Sequence, residues 1–465
     1  HNKLLPPPCP SDAGFALFYS GINIGALLGG YLCFNLGDNY GWEWAFISAG
    51  IAMVIGLAVF GGGMRSLGPL GFSPLADKEG MKASSVQLAQ IGVYIGSLIM
   101  IPFILILVQN SSYTDLFMYI VGPIALLYLL YEMTRCTREQ VSKLLAALVF
   151  IIFSIFFWAF FEQSGGSLAI VAREHVTHNI AGVPLDPNEV NNTANSLFVI
   201  LLSPLFGLLW LWMSSRKVEP NTVVKFGLGF VFLAAAFYVF HMLIGYSSGA
   251  GITSLTVFAM AYLVMTIGEL CLSPIGLSAM TKLSPKRLVG IIMGLWFLAS
   301  AYGQYIAGVL GAGMATTGEY KVEMNEASND PSMMGSRTIA WKDTSDNKAT
   351  FEKMDILISS PEADTSKFEW QAVADAEHTT ARFNAKGDVV AWMTTEVPNN
   401  GSVTVTPPAS LIQRSDLQAS VMPRSIERLQ CYTDGYRLLA LYALVCGFIL
   451  IIISPLVRRL MGEVR

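Results

Sequence analysis

The sequence predicts an all-α membrane protein carrying a small β-rich extracytoplasmic insert. Hydrophobic residues make up 53% of the 465-residue chain and charged residues only 13%, against about 25% charged in an ordinary soluble domain. The apolar residues come in runs of about twenty, the length needed to cross roughly 30 Å of hydrocarbon. The charge is unevenly spread: the net charge of −4 averages nearly charge-free apolar runs with one charge-rich segment late in the chain.

The opening stretch, His1 to Pro10, reads as a loop because of Pro6-Pro7-Pro8 and Pro10. It has neither an initiating Met nor a signal-peptide pattern, so the chain reads as lacking its beginning. Eight spans follow, at 14–37, 43–63, 144–172, 192–214, 226–246, 253–281, 289–314 and 435–457. Between the second and third lies an apolar hairpin, 86–109 and 115–134, turning at Gln109-Asn110-Ser111-Ser112. Each span is read as a helix, because lipid offers backbone groups no partner outside the chain. Small residues recur every fourth position at Gly21, Gly25 and Gly29, and again at Gly303, Ala307 and Gly311. That spacing lets helices in a membrane approach closely.

Basic residues mark one side of the bilayer. They are Arg65, Lys78 and Lys82; Arg135, Arg138 and Lys143; Arg216, Lys217 and Lys225; Lys282, Lys286 and Arg287; and Arg458, Arg459 and Arg465. If the spans alternate, all fall on the same, cytoplasmic, side. Residues 315–433 then lie outside. That segment is polar, with alternating runs at Asp388–Trp392 and Ser402–Thr406, and Asn399-Asn400-Gly401 reads as the turn between them. It is read as a small β domain with Trp341, Phe351, Phe368 and Trp370 as core, a long disordered loop being the alternative.

Ionisable residues in mid-span mark function, since an ionised acid at the bilayer centre costs at least ~2.5–3.5 kcal/mol. Two stand out, Glu162 and Glu269, and no Lys or Arg sits in mid-span. A buried carboxylic acid can take and release a proton near neutral pH; the plainer role is a neutral acid holding helices together. Glu269, Ser273 and Gly276 follow helical spacing, and Pro274 interrupts the ladder there. Gly165-Gly166 loosens the other span beside Glu162. Broken helices near the midplane mark binding sites in many transporters. Asn23 and Asn195 are amides in apolar spans, suited to a cavity or to gluing helices together. Trp296 sits well inside its span, and His241 reads as an interfacial histidine. The six cysteines have no metal-ligand spacing. With no nucleotide loop, metal cluster or nucleophile arrangement in the sequence, an enzyme is not expected.

Four segments resemble those of the proton-dependent oligopeptide transporter family of the major facilitator superfamily. Phe18-Tyr19-Ser20-Gly21-Ile22-Asn23-Ile24-Gly25-Ala26-Leu27 is similar to its FYxxINxGSL signature, departing at Ala26. Phe157–Gln163 resembles FWxxxEQ, Gly268–Ser278 resembles GExxxSPxGLS, and Gly294–Leu298 resembles the eleventh helix. The resemblance implies the major facilitator superfamily fold, helices five to twelve plus a two-helix hairpin, with helices one to four and their ExxER motif absent. It divides the chain into 1–64 (end of the N-terminal bundle), 65–143 (linker with hairpin), 144–314 (C-terminal bundle), 315–433 (periplasmic insert) and 434–465 (twelfth helix and tail).

The resemblance further implies proton-coupled symport of di- and tripeptides by alternating access, in the inner membrane. Glu162 and Glu269 would couple protons. Glu269, with Asn23 and Asn195, would meet the peptide ammonium, and Tyr19, Ser273 and Trp296 would complete the pocket. The coupling ion is the proton, no cofactor is implied, and the partners are peptide, protons and the bilayer, not nucleic acid. The alternatives are a carrier of another solute, such as a peptide-like drug, nitrate or an amino acid, a proton antiporter, or a non-transporting membrane sensor.

Overall fold

The computed structural model describes residues 10–67, 83–248, 251–314, 320–326, 337–344, 354–359, 381–385, 388–395, 401–405, 418–423 and 425–462. The opening proline loop, Lys78, Lys82, Phe351, Phe368, Trp370 and the Asn399-Asn400 pair lie outside the described residues.

Helices form where the apolar runs predict them. The first pair is α1 (Pro10–Tyr40) and α2 (Trp42–Leu67). Gly41 joins them at φ 105°, a conformation that suits glycine. The hairpin is α3 (Ala83–Gln109) and α4 (Ser111–Met133), and Asn110 in its turn accepts a hydrogen bond from the Tyr113 amide at 3.4 Å. Next come α5 (Arg138–Phe161), a 3-10 turn at Glu162–Gly165, and α6 (Ser167–His175). The Asp186 carboxylate caps α7 (Pro187–Ser215) by accepting from the amides of Asn188 and Glu189, and Asn221 caps α8 (Thr222–His241). The series closes with α9 (Leu255–Leu270), α10 (Ser273–Leu283), α11 (Val289–Met314) and α12 (Ser425–Met461). Among the described residues, nine helical stretches are long and apolar enough to cross a membrane. Exposed apolar side chains such as Phe46, Leu57, Val93 and Tyr94 give their outward faces the character of a lipid contact.

Two spans depart from the single helices expected. The segment expected at 144–172 is interrupted at Glu162, where α-helix tightens to 3-10 and Gly166 leaves helical geometry (φ −123°, ψ −113°). The segment expected at 253–281 is interrupted at Cys271-Leu272. Pro274 explains the second break, because it has no backbone N–H to bond the Leu270 carbonyl, as a continuous helix requires. Glu269 and Ser273 therefore stand on two helices, not along one continuous face.

The described residues divide into two compact units. The first draws on 1–152, 276–302 and 456–465, and the second on 153–275 and 303–455. In the first, the Tyr302 hydroxyl donates to the Met118 carbonyl and accepts from the Gly122 amide at 2.8 Å, tying α11 to the hairpin. Arg287 pairs with Glu132 at 3.0 Å. In the second, Phe157, Phe230, Phe237, Phe240, Phe258, Tyr262 and Tyr436 are fully buried and pack ring against ring, some tilted and some edge to face, as in the Phe157–Phe230 pair at 5.5 Å.

The two stripes of small residues behave differently. A Cβ on Gly303 would collide with the Trp158 side chain and lie 3.1 Å from the Ile155 carbonyl, so α11 rides directly on α5 there. At Gly21, Gly25 and Gly29, nothing among the described residues lies within 4 Å of such a Cβ. That stripe packs against no described helix.

The last helix starts at Ser425, ten residues before the expected 435. Glu427 and Arg428 make this turn polar, but Arg428 pairs with Glu174 at 2.5 Å, which lets the helix begin early. His175 is buried beside them, its Nδ1 3.0 Å from the Gly251 carbonyl. His241 ends α8 with its Nδ1 2.9 Å from the Thr433 carbonyl.

Strands fall where the polar segment predicted them, with an added short pair, β1 (Asn179–Ile180) and β2 (Val183–Pro184), in the loop before α7. Between α11 and α12 run β3 (Tyr320–Glu326), β4 (Arg337–Asp343), β5 (Met354–Ser359), β6 (Ala381–Ala385), β7 (Asp388–Thr395), β8 (Gly401–Val405) and β9 (Gln418–Pro423). They form two antiparallel sheets, in the orders β3-β4-β8 and β6-β7-β5-β9. Ile339, Trp341, Met354, Ile356 and Val421 are buried. The hairpin expected across Asn399-Asn400-Gly401 does not form: β7 pairs with β5 and β6, whereas β8 pairs with β4. Alternation sets which face of a strand is buried; it does not choose the neighbouring strand.

Candidate functional site

Both acids sit at helix breaks in the second unit. The aromatic turn before Glu162 is rigid: Phe157 stacks on Phe161 at 5.5 Å and Trp158 meets Phe161 edge-on at 5.4 Å. Gln163, fully buried, anchors the next residue. Its Nε2 donates to the Ala307 carbonyl at 3.1 Å, and its Oε1 accepts from the Ser167 hydroxyl at 2.8 Å. Glu162 itself is half-buried, and Gln304 Nε2 approaches its Oε1 at 3.5 Å. That distance is at the long limit of a hydrogen bond. The backbone at Glu162 is thus fixed on both sides while its carboxyl is loosely held.

Glu269 is built the opposite way. It is 6% exposed, and Asn195 Nδ2 donates to its Oε2 at 2.8 Å. The same amide donates to Thr266 Oγ1 at 3.1 Å, and the Thr266 hydroxyl donates to the Tyr262 carbonyl at 2.8 Å. The Tyr262 hydroxyl donates to Asn191 Oδ1 at 2.5 Å, and Asn191 Nδ2 donates to the Ser164 carbonyl at 2.9 Å. The ladder thus runs from Glu269 to the turn that follows Glu162. Helical spacing assembles it, with Asn191 and Asn195 one turn apart on α7 and Tyr262, Thr266 and Glu269 at i, i+4 and i+7 on α9.

Asn195 and Glu269 therefore meet directly. Ser273 opens α10, with its Oγ buried and without a hydrogen-bond partner among the described residues. Tyr19, Asn23 and Trp296 belong to the first unit. Asn23 is buried in α1, and Tyr19 lies on that helix with its side chain outside the described set. Trp296 is 5% exposed, its indole seated where a Cβ on Gly276 would be, so α10 needs glycine there. Asn191, Tyr262 and Thr266 were not singled out from the sequence. Their signal was the helical spacing from the two residues that were.

Outside the spans, the Glu219 carboxyl is shifted by its neighbours. Burial pushes the Glu219 carboxyl up, but hydrogen bonds from Lys225 and Ser214 and the Lys225 charge outweigh it, leaving the group below the ordinary carboxylate value. The Lys225 ammonium also lies 4.5 Å from the Trp210 ring centroid. No group of three or more metal-ligating side chains occurs among the described residues.

The arrangement offers one carboxylate pre-oriented by an amide and one poised at a loosened turn, both in mainly apolar surroundings. A family model described as PTR2, POT family, matches residues 10–325. A peptide transporter of Yersinia enterocolitica is 33% identical over 64% of this chain and 61% of its own length. Dipeptide and tripeptide permease B of Salmonella typhimurium is 26% identical over 66% of this chain and 62% of its own. The chain thus spans about three-fifths of these relatives. A crystal structure of a peptide transporter in complex with sulfate superposes with a TM-score of 0.58, covering 99% of this chain and 71% of that one at 23% identity, a likeness of fold.

Proposed function

The chain belongs to the POT family and is a multi-pass membrane protein, and from that premise we propose that the whole protein is a proton-coupled symporter of di- and tripeptides. It would work in the inner membrane by alternating access of two helical bundles, with residues 315–433 on the periplasmic side. The observation that carries the reading is the Asn195–Glu269 pair, 2.8 Å apart at a helix break. A buried carboxylate held in one orientation by an amide suits a substrate ammonium group. Tyr19, Asn23, Ser273 and Trp296 would line the rest of the pocket, and the proton would be the coupling ion.

Glu162 is the acid suited to exchange a proton. Among the described residues its carboxyl has one weak partner, Gln304 at 3.5 Å, so few hydrogen bonds must be broken or remade when its charge changes. Glu269 would couple to it by releasing or accepting charge as the substrate arrives. The names of the relatives support this choice of substrate over another solute, since they include a peptide transporter and a dipeptide and tripeptide permease.

The test is dialanine uptake into vesicles reconstituted with the whole protein, with and without an inward proton gradient. Uptake that needs the gradient, is competed by other short peptides and is abolished by a protonophore is the expected result. Gradient-driven uptake of a different solute with none of dialanine would replace the substrate. Absence of any gradient-driven uptake would end the symport reading.

A further inference from the structure

Tyr262 is the residue at which the two halves of the ladder meet. Its backbone carbonyl takes the Thr266 hydroxyl on the Glu269 side, and its own hydroxyl reaches Asn191 on the Glu162 side. Its ring is fully buried, packed edge-on against Phe240 and Phe258 at 5.5 and 5.4 Å. A phenol so placed could be a phenylalanine for packing purposes. Its hydroxyl instead makes a short bond to a buried amide.

The other end of that amide meets a backbone group released by the helix break. After Glu162 the chain runs in 3-10 form and leaves helical geometry at Gly166, so carbonyls in this turn lack the amide partner a continuous helix supplies. Asn191 Nδ2 takes the Ser164 carbonyl. The turn is thereby tied to α9, through Tyr262 and Asn191, as well as to α11 through Gln163. A buried polar chain of this kind is costly if half-satisfied, so a shift at one end is passed on rather than absorbed.

We propose that Asn191 and Tyr262 are positioning residues that join the turn bearing Glu162 to the helix face bearing Glu269, so that the occupancy of one carboxylate sets the geometry of the other. The proposal rests on the symport reading above and adds how its two acids communicate. When a cation engages Glu269, Asn195 and Thr266 adjust, α9 moves with them, and the Tyr262–Asn191 bond carries the displacement to Ser164. Neither Tyr262 nor Asn191 needs to touch substrate or hold the transported proton.

The experiment compares the whole protein with its Tyr262→Phe variant in vesicles, using dialanine in two assays. One is exchange at equal pH on both sides, read as KM; the other is accumulation driven by an inward proton gradient. Coupling energies between linked sites correspond to roughly 5- to 150-fold effects. The expected split is accumulation reduced about fivefold or more, with exchange KM held within about twofold. The pH profile of driven uptake should flatten. Asn191→Ser, which shortens the bridge from the other side, should give the same split, and the double variant should be no worse than either single one. Asn191→Ser alone serves as the test if Tyr262→Phe fails to insert.

Unchanged accumulation in both variants, or loss of exchange and accumulation in equal proportion, overturns the proposal while leaving symport intact. No gradient-driven uptake by the unmodified protein overturns symport itself, and with it the inference.

Discussion

The two helix breaks are built from different materials and hold their acids differently. At Glu162 a double glycine and a 3-10 turn loosen the backbone, Gln163 locks the neighbouring position to α11, and the carboxyl has one long contact at 3.5 Å. At Glu269 a proline stops α9 a residue later, the carboxyl is 6% exposed, and an amide holds it at 2.8 Å. A tightly oriented carboxylate is prepared for a ligand of fixed geometry. A loosely held one can change charge with little local rearrangement. One fold thus places two chemically identical groups in two different hydrogen-bonding environments.

The strongest way to break that contrast is Glu162→Gln, which keeps the shape and removes the titration. Accumulation of dialanine against its gradient should be lost, with exchange retained, in reconstituted vesicles. If the variant still accumulates peptide, Glu162 is not the proton-handling acid. Glu269→Gln probes the other side. A hydrogen bond to a charged group contributes about 1.5–3 kcal/mol, so peptide affinity measured by calorimetry should fall roughly 10- to 100-fold. An unchanged Kd would remove Glu269 from the pocket.

Gly303→Val sharpens the comparison by disturbing the α11 contact beneath Glu162 and leaving Glu269 alone. Overpacking of this kind costs about 1–3 kcal/mol. A lower thermal midpoint in detergent should accompany a larger loss of driven uptake than of peptide binding, and equal losses would mean the two sites are not separable. The smallest effect is at Glu219, remote from both acids in sequence. Its folded-state pKa lies below the ordinary 4.5, so the Lys225 pairing contributes stability above the unfolded value and loses it as pH falls through the folded one. Stability of the unmodified protein should decline in that acid range, and Glu219→Gln should flatten the decline, as followed by thermal unfolding against pH.

Much of this was legible from the residues. Apolar runs placed most of the helices to within a few positions, Pro274 and Gly165-Gly166 marked where two spans read as single segments are weakened, and the family resemblance grouped Asn195, along with Asn23, around Glu269. What stayed hidden depends on contacts between distant segments. Tyr262 reads as one more aromatic in an apolar span until Asn191, 71 positions earlier, is found against its hydroxyl. The early start of α12 was masked by Arg428, whose partner Glu174 lies 254 positions away. The stripe at Gly21, Gly25 and Gly29 has the same spacing as the one at Gly303, yet the second meets a helix and the first meets nothing within 4 Å among the described residues. Spacing states what a face permits, and only the neighbour decides whether it is used.

The sheets between α11 and α12 carry a consequence for how this chain came to hold them. The strands alternate between sheets along the chain: β3 and β4 in one, β5 to β7 in the other, then β8 back in the first and β9 in the second. Neither sheet can be completed before the other is nearly finished, so the segment must assemble as a whole. Its first and last strands, β3 and β9, also lie against each other. Its two ends therefore leave the domain side by side, like the ends of a short turn. A guest of this shape can be spliced between two helices without prising them apart, since the host need close only the small gap between entrance and exit.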